Sequence, residues 1–398
     1  MATGTMPSRT AISNYGFYAW IAFLAVFVVL GLIGVYRQTT EGHHLTDLSD
    51  AMPWGLYITG FVFFVGASAG ATIIGLIVHG FGREDYAPLA TRALLVGLLS
   101  LMAAVMFIAV DVGSIPRMIR LPFIWRNETS MFTYTSTSYY IFGAILAAEL
   151  YYALKITQGE ASDSDRTIAK WLALIAAPFA LIALHAITGS LFAVAAARDF
   201  WQNPLLPPHF AVIALLSGIA IMLGVAVVTS LATGKDLVRR ETLTHMGILL
   251  ALFIAIAAFM DFFDFIVYKY NGEFAGDEAF DALWSDGVVL SILHVGGYAV
   301  ALLILALNIN RRNPAWFGAA ALVALVAAGA YRFNLTAAGQ SPKLLPFLED
   351  VSYWPTWVEI SITMGIVALV LLLYSVAVRV LPMEQPAGDE RSGLRSDT

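Results

Sequence analysis

The chain has 398 residues, of which 59% are hydrophobic and only 13% charged, about half the charged share of a soluble domain, so lipid is its main solvent. There is no cysteine, which excludes a disulfide and a thiolate-held iron-sulfur cluster within this chain. The formal net charge of -6 gives no electrostatic basis for nucleic-acid binding.

A helix that crosses a bilayer needs ~20 mostly apolar residues, and such runs recur along the whole chain. The N-terminal stretch "MATGTMPSRTAISNYG" leads into the first of them without a small-residue cleavage pattern, so residues 1-14 read as a tail and the first span as retained. The expected spans are 15-36, 54-79, 92-110, 137-156, 169-197, 210-232, 243-268, 287-309, 315-333 and 354-381, followed by a tail over 382-398. Span three ends in "IAVDVG" and span seven, four spans later, in "AAFMDFFD". Two similar four-helix bundles, over 54-197 and 210-333, would produce that echo. The expected fold is thus an all-α integral membrane protein of about ten helices, two four-helix bundles flanked by a first and a last helix. With both termini cytoplasmic, fourteen of the 22 Lys and Arg residues fall on the cytoplasmic side, the bias that orients membrane proteins. The acidic segment "NGEFAGDEAFDALWSD" (271-286) then faces outward, as a solvated loop or as a docking surface.

Ionisable groups inside lipid are costly unless they face protein or water, so each is a functional candidate. Here they are His79, Asp111, Glu149, His185, Asp261, Asp264, His294 and Glu359. His185 lies in "LHAITGSLFAVAAARDFW" (184-201), with Thr188 and Gly189 on the same helical face and Arg198 about 20 Å further along. It reads as a proton donor or hydrogen bond to a buried ligand, or else as an interhelical packing bond. His294 falls at comparable depth, so one haem held between His185 and His294 is open, although no second pair exists at the other depth. Asp111 and Arg117 in "DVGSIPR" could pair across a turn, either presenting donors to a polar headgroup or forming a structural salt bridge. Glu149, with Ser68, Thr72 and His79 on one face of span two, could relay protons or simply pack the helices. Asp261, Asp264 and Tyr268 share a face, and Arg332 and Glu359, at matching depth, are expected to pair structurally. No cluster of side chains reads as a metal site.

Taken together, "MPWGLYITGFVFFVGASAGA" (52-71), "DVGSIPR" (111-117), "HAITGSLFAVAAARDFW" (185-201) and "YRFNLT" followed by "YWPTWVEISITMGIVAL" (331-336, 353-369) resemble the NrfD/polysulfide-reductase membrane-subunit family. The likeness is to its ten-helix branch, which includes HybB, DsrP and the membrane subunits of alternative complex III. It implies a cofactor-free subunit, with no haem or cluster of its own, in a bacterial or archaeal cytoplasmic membrane. Such a subunit binds a quinone, menaquinone or ubiquinone, near the outer face. It exchanges electrons there with a ferredoxin-like iron-sulfur subunit that serves a catalytic subunit: a molybdenum enzyme, a hydrogenase or a multihaem cytochrome. Carried onto this sequence, the pocket falls on Trp54, Tyr57, Asp111, Arg117 and His185, with Arg198 nearby. Helix position adds Tyr139 and Glu149. Where family members have Asp-Leu-Gly followed by Arg-Pro, this chain has Val112 and places its arginine, Arg117, after Pro116. A secondary transporter, a haem-bearing anchor and a passive anchor are the competing readings. Pro178 is the one proline well inside a span, where a transporter would show broken helices in both halves.

Overall fold

The structure, a computed structural model, describes residues 14-113, 118, 120, 129-195, 197, 198, 200-270, 281, 283-285, 287-341 and 352-383. Among them, ten helices are long and apolar enough to cross a membrane: α1 Asn14–Glu41, α2 Leu56–Gly80, α3 Ala87–Val112, α4 Met131–Gln158, α5 Asp163–Ala193, α6 Leu206–Thr233, α7 Arg240–Tyr270, α8 Val288–Asn308, α9 Pro314–Ala338 and α10 Trp357–Val380. The fold is all-α, as the composition requires. Several helices, α1, α3, α4, α6, α7 and α9 among them, run past the hydropathic spans, whereas α8 and α10 stop short of theirs; where polar caps occur, they and not the apolar run decide where the helix begins. Ser162 and Thr356 each form a capping box, with Asp165 and Glu359 respectively. Asn313 caps α9, and prolines occupy the first turns of α3, α6 and α9, where a missing N–H costs nothing.

Packing neighbours follow two sets of four. Helix α2 packs on α3 and α5, α3 on α4, and α4 on α5, while α6 packs on α7 and α9, α7 on α8, and α8 on α9. Contact between α2 and α6 joins the sets, and α1 and α10 pair at the side against α3. The most apolar windows of α2 and α6 are 67% and 61% buried, against 17% for α1 and 22% for α10, so the first pair is the core and the second the periphery. Gly70 of α2 and Gly218 of α6 make that central approach possible. A Cβ on Gly70 would run into Ala214 O and the Gly218 backbone, and one on Gly218 into the Gly70 backbone, so the helices meet main chain to main chain.

Two helices are locally unwound without being broken. Helix α2 ends in a π-helical turn at Leu76–Gly80 that carries His79. Helix α5 passes through a π-helical segment at Ala180–Ala186 that carries His185, two residues after Pro178. Proline removes an N–H from the helical ladder, and the wider turn that follows re-registers the chain.

Candidate functional site

The end of the bundle that holds the start of α2 and the end of α5 gathers most of the expected residues. Trp54 and Trp201 stack at 5.0 Å with Phe192 edge-on to both, and Trp201 donates its indole N–H to Leu335 O at 2.8 Å. Gln340, just beyond α9, clamps the backbone of Trp54 from both sides: its Oε1 accepts from Trp54 N at 3.1 Å and its Nε2 donates to Trp54 O at 2.6 Å and to Thr336 O at 2.8 Å. Arg198 donates to Gln340 O at 2.7 Å and to Ala51 O at 2.6 Å, and partial burial pulls its guanidinium below the usual arginine range. Its charge therefore ties the segment before α2 to the segment after α9.

Tyr57, fully buried, donates its hydroxyl to Gln38 Oε1 at 2.6 Å, and Gln38 Nε2 donates to Val110 O at 3.2 Å. Asp111 lies next along α3, and one of its carboxylate oxygens is buried with no hydrogen-bond partner among the described residues. Arg117, Asp111's expected partner, lies outside the described residues, as does Asp199. Glu359 corrects one expectation. Its carboxylate accepts from Tyr353 OH, from Asp47 N at 3.1 Å and from Thr356 N at 3.0 Å, while Arg332 lies over the Phe210 ring at 4.0 Å. Sequence depth alone had paired these two; capping of α10 claims the carboxylate first. Burial and the Glu359 carboxylate push the Tyr353 hydroxyl up from its ordinary range, and its oxygen in turn accepts from Leu56 N at 2.7 Å, which holds the first turn of α2.

Between α2, α3 and α4 lies a part-open groove. It is lined by Phe61 of α2, Val105, Ile108 and Val112 of α3, Thr135, Ser136, Tyr139 and Tyr140 of α4, and Leu191 of α5, together with Phe132 and Met118. Spacings of three and four residues on α3 and α4 put these side chains on single helix faces. Tyr139 crosses to α5, where its hydroxyl meets Thr188 Oγ1 at 2.8 Å. One helical turn back stands His185, fully buried, with neither ring nitrogen partnered among the described residues. Gly66 makes room for it, since a Cβ there would lie 3.3 Å from His185 Nε2. An imidazole in this state costs about 1–3 kcal/mol unless something bonds to it.

Glu149 is not part of this end. It is fully buried towards the opposite end, with Oε1 3.6 Å from His79 Nδ1. Ser68 and Thr72, expected to extend that pair, donate instead to Gly97 O and Ala69 O.

A further cluster, at the Trp54 end of the second set of helices, includes a residue that sequence reasoning missed. Asp261 lies 3.2 Å from His294 Nε2 and 3.6 Å from His209 Nε2, and His209 Nδ1 is 3.1 Å from Tyr331 OH. Asp264 accepts from Asn203 at 2.9 Å. His209 follows Pro207 and Pro208, which read as loop, whereas the helix starts before them at Leu206; the preference for proline in a first turn was the available signal. The two histidines considered for a haem have separate surroundings. His185 borders Gly66 and Phe210, and His294 borders Asp261, Tyr298 and Tyr331.

The sequence profile of the family described as "Polysulphide reductase, NrfD" matches residues 44–342. The chain belongs to the NrfD family. Across 97% of its length it is 29% identical to the assigned membrane subunit of a dimethyl sulfoxide reductase from Halobacterium salinarum, of which 96% is covered. It is 25% identical to a selenate reductase subunit from Mesobacillus selenatarsenatis, with 92% of this chain and 94% of that one covered. It is 24% identical to the menaquinone reductase integral membrane subunit of Nitratidesulfovibrio vulgaris, over 92% of both. This NrfD-family chain is accordingly a multi-pass membrane protein of the kind that forms the membrane subunit of oxidoreductase complexes.

Proposed function

We propose that this chain is the quinone-reactive subunit of a respiratory oxidoreductase and that the headgroup enters the groove between α2, α3 and α4. The observation that carries the reading is the juxtaposition of an apolar, aromatic-walled groove with Tyr139, Thr188 and the unpartnered His185. Ligand sites are typically apolar clefts with a few convergent polar groups. The relatives named for menaquinone and for reductases support the same reading. Interconversion of quinone and quinol moves two electrons and two protons. His185, one turn behind Thr188, and Asp111, next to Val112, each have a buried atom lacking a partner and do not themselves line the groove; we assign them to carrying protons to and from it, while Phe61, Ile108 and Leu191 keep water from the ring. Trp54 before α2, Tyr57 in its first turn and Arg198 beyond α5 support the site from that end. Arg117 follows Asp111 in sequence, and we keep it as a headgroup contact. Glu149, paired with His79, serves proton movement at the opposite end.

Electrons pass, in this proposal, to or from a ferredoxin-like iron-sulfur subunit docked on the Trp54 end, and through it to a catalytic subunit. That end faces outward from a bacterial or archaeal cytoplasmic membrane, with both termini inside, by the lysine and arginine bias. The test is made on the assembled complex. Asp111→Asn and His185→Gln should each abolish quinone-linked turnover while the subunits still co-purify and a dye-linked assay of the catalytic subunit stays at the parent level. Parent-level quinone turnover in both variants would overturn the assignment.

A further inference from the structure

The groove's hydroxyl groups have a definite hydrogen polarity. A threonine or serine hydroxyl has one hydrogen to donate and two lone pairs to accept with. Thr188 Oγ1 gives its hydrogen to Leu184 O, four residues back on α5, the usual bond for threonine in a helix. The hydrogen between Tyr139 and Thr188 must therefore come from Tyr139, because otherwise two lone pairs would face each other in one of these contacts. Thr135 gives its hydrogen to Met131 O at 2.8 Å, and Ser136 gives its own to Thr133 O at 3.1 Å. Towards the groove, Tyr139, Thr135 and Ser136 are thus left with acceptor lone pairs. Tyr140 is 48% exposed, and its hydroxyl is free to turn as donor or acceptor, so it does not discriminate. His185 stands one turn behind Thr188 and does not line the groove.

A quinone presents two carbonyl oxygens, which only accept, whereas a hydroquinone presents two O–H donors. In an otherwise apolar groove whose fixed hydroxyls offer only acceptors, a quinone carbonyl loses its hydrogen bonds to water and gains none from them, while a hydroquinone hydroxyl can replace its own. We infer that the groove selects the reduced, hydroxyl-bearing ring over the oxidised one. The inference rests on the quinone reading above and adds to it the redox state that is recognised. Left unpaired, a buried acceptor weakens binding by roughly tenfold or more. A site that binds the reduced form more tightly also raises the potential of the bound couple.

The test uses the full chain in detergent under anaerobic conditions and the displacement of a fluorescent quinone-site inhibitor by three ligands. These are 2,3-dimethyl-1,4-naphthoquinone, its hydroquinone, and the 1,4-dimethyl ether of that hydroquinone, which keeps the ring and lacks the donors. The hydroquinone should bind about tenfold more tightly than either of the others. Tyr139→Phe removes the acceptor and should bring the three affinities within about threefold of one another, chiefly by weakening the hydroquinone. Thr188→Val frees the Tyr139 hydrogen for the ligand and should move the preference towards the quinone. A quinone bound as tightly as the hydroquinone by the parent chain, or a preference unchanged in both variants, overturns the inference while leaving the quinone reading standing. Failure of all three rings to displace the inhibitor overturns the quinone reading itself.

Discussion

Replacing Gln340 by methionine keeps the volume of the side chain and deletes its amide. Gln340 is 3% exposed, and three side-chain hydrogen bonds depend on it, two of them to the backbone of Trp54. Water has little access to replace them, so Trp54 N and Trp54 O would lose partners together. At about 1–1.5 kcal/mol for each unpaired backbone group and less for Thr336 O, which lies on helix α9, the loss comes to roughly 3 kcal/mol. For a chain of this length the entropy of unfolding converts that into a fall of about 3–4 °C in the unfolding midpoint. The assay is the thermal unfolding of the purified full chain in one detergent, followed by tryptophan fluorescence. Gln340→Glu is the informative control, since it retains the acceptor for Trp54 N and loses the donors to Trp54 O and Thr336 O; it should fall between the parent and the methionine variant or below. A methionine variant that unfolds within 1 °C of the parent would refute the claim that this amide fastens the segment leading into α2.

Three other outcomes follow from the packing. Gly70→Val puts a branched side chain where α2 and α6 meet main chain to main chain, and it should reduce the yield of folded monodisperse protein by well over half on size-exclusion chromatography. Glu149→Gln should leave the affinity for a quinone-site inhibitor within about twofold of the parent, because Glu149 lies towards the opposite end from the groove; a tenfold loss by inhibitor titration would contradict that separation. Tyr353→Phe removes the partner of Leu56 N at the first turn of α2 and one bond to Glu359, and should cost about 1–3 kcal/mol, read as a lower unfolding midpoint with unchanged subunit assembly.

The spans were legible because a bilayer imposes a length and a polarity that a single sequence displays directly. Their ends were less so, since Ser162 and Asn313 start helices within polar stretches that hydropathy assigns to loops, and Thr356 starts α10 inside the run assigned to a span. Asp111 and His185 stood out as polar groups on apolar runs and Tyr139 by its helix position, and the structure brings them to the same end of the same set of helices. Gln38, Gln340 and Tyr353 did not stand out. They carry no charge, and two of them sit in connections, so only the fold shows that they fasten Tyr57, Trp54 and Leu56. The expected pairing of Arg332 with Glu359 came from depth, which fixes one coordinate of three; lateral position put Glu359 beside Tyr353 and Arg332 on Phe210. His209 was lost to a boundary drawn at two prolines.

The seam at Gly70 and Gly218 limits how the molecule can work. With no side chain between the two backbones there is no lubricating layer on which one half could slide or tilt against the other, so a rocking cycle that opens first to one side and then to the other would have to tear that joint.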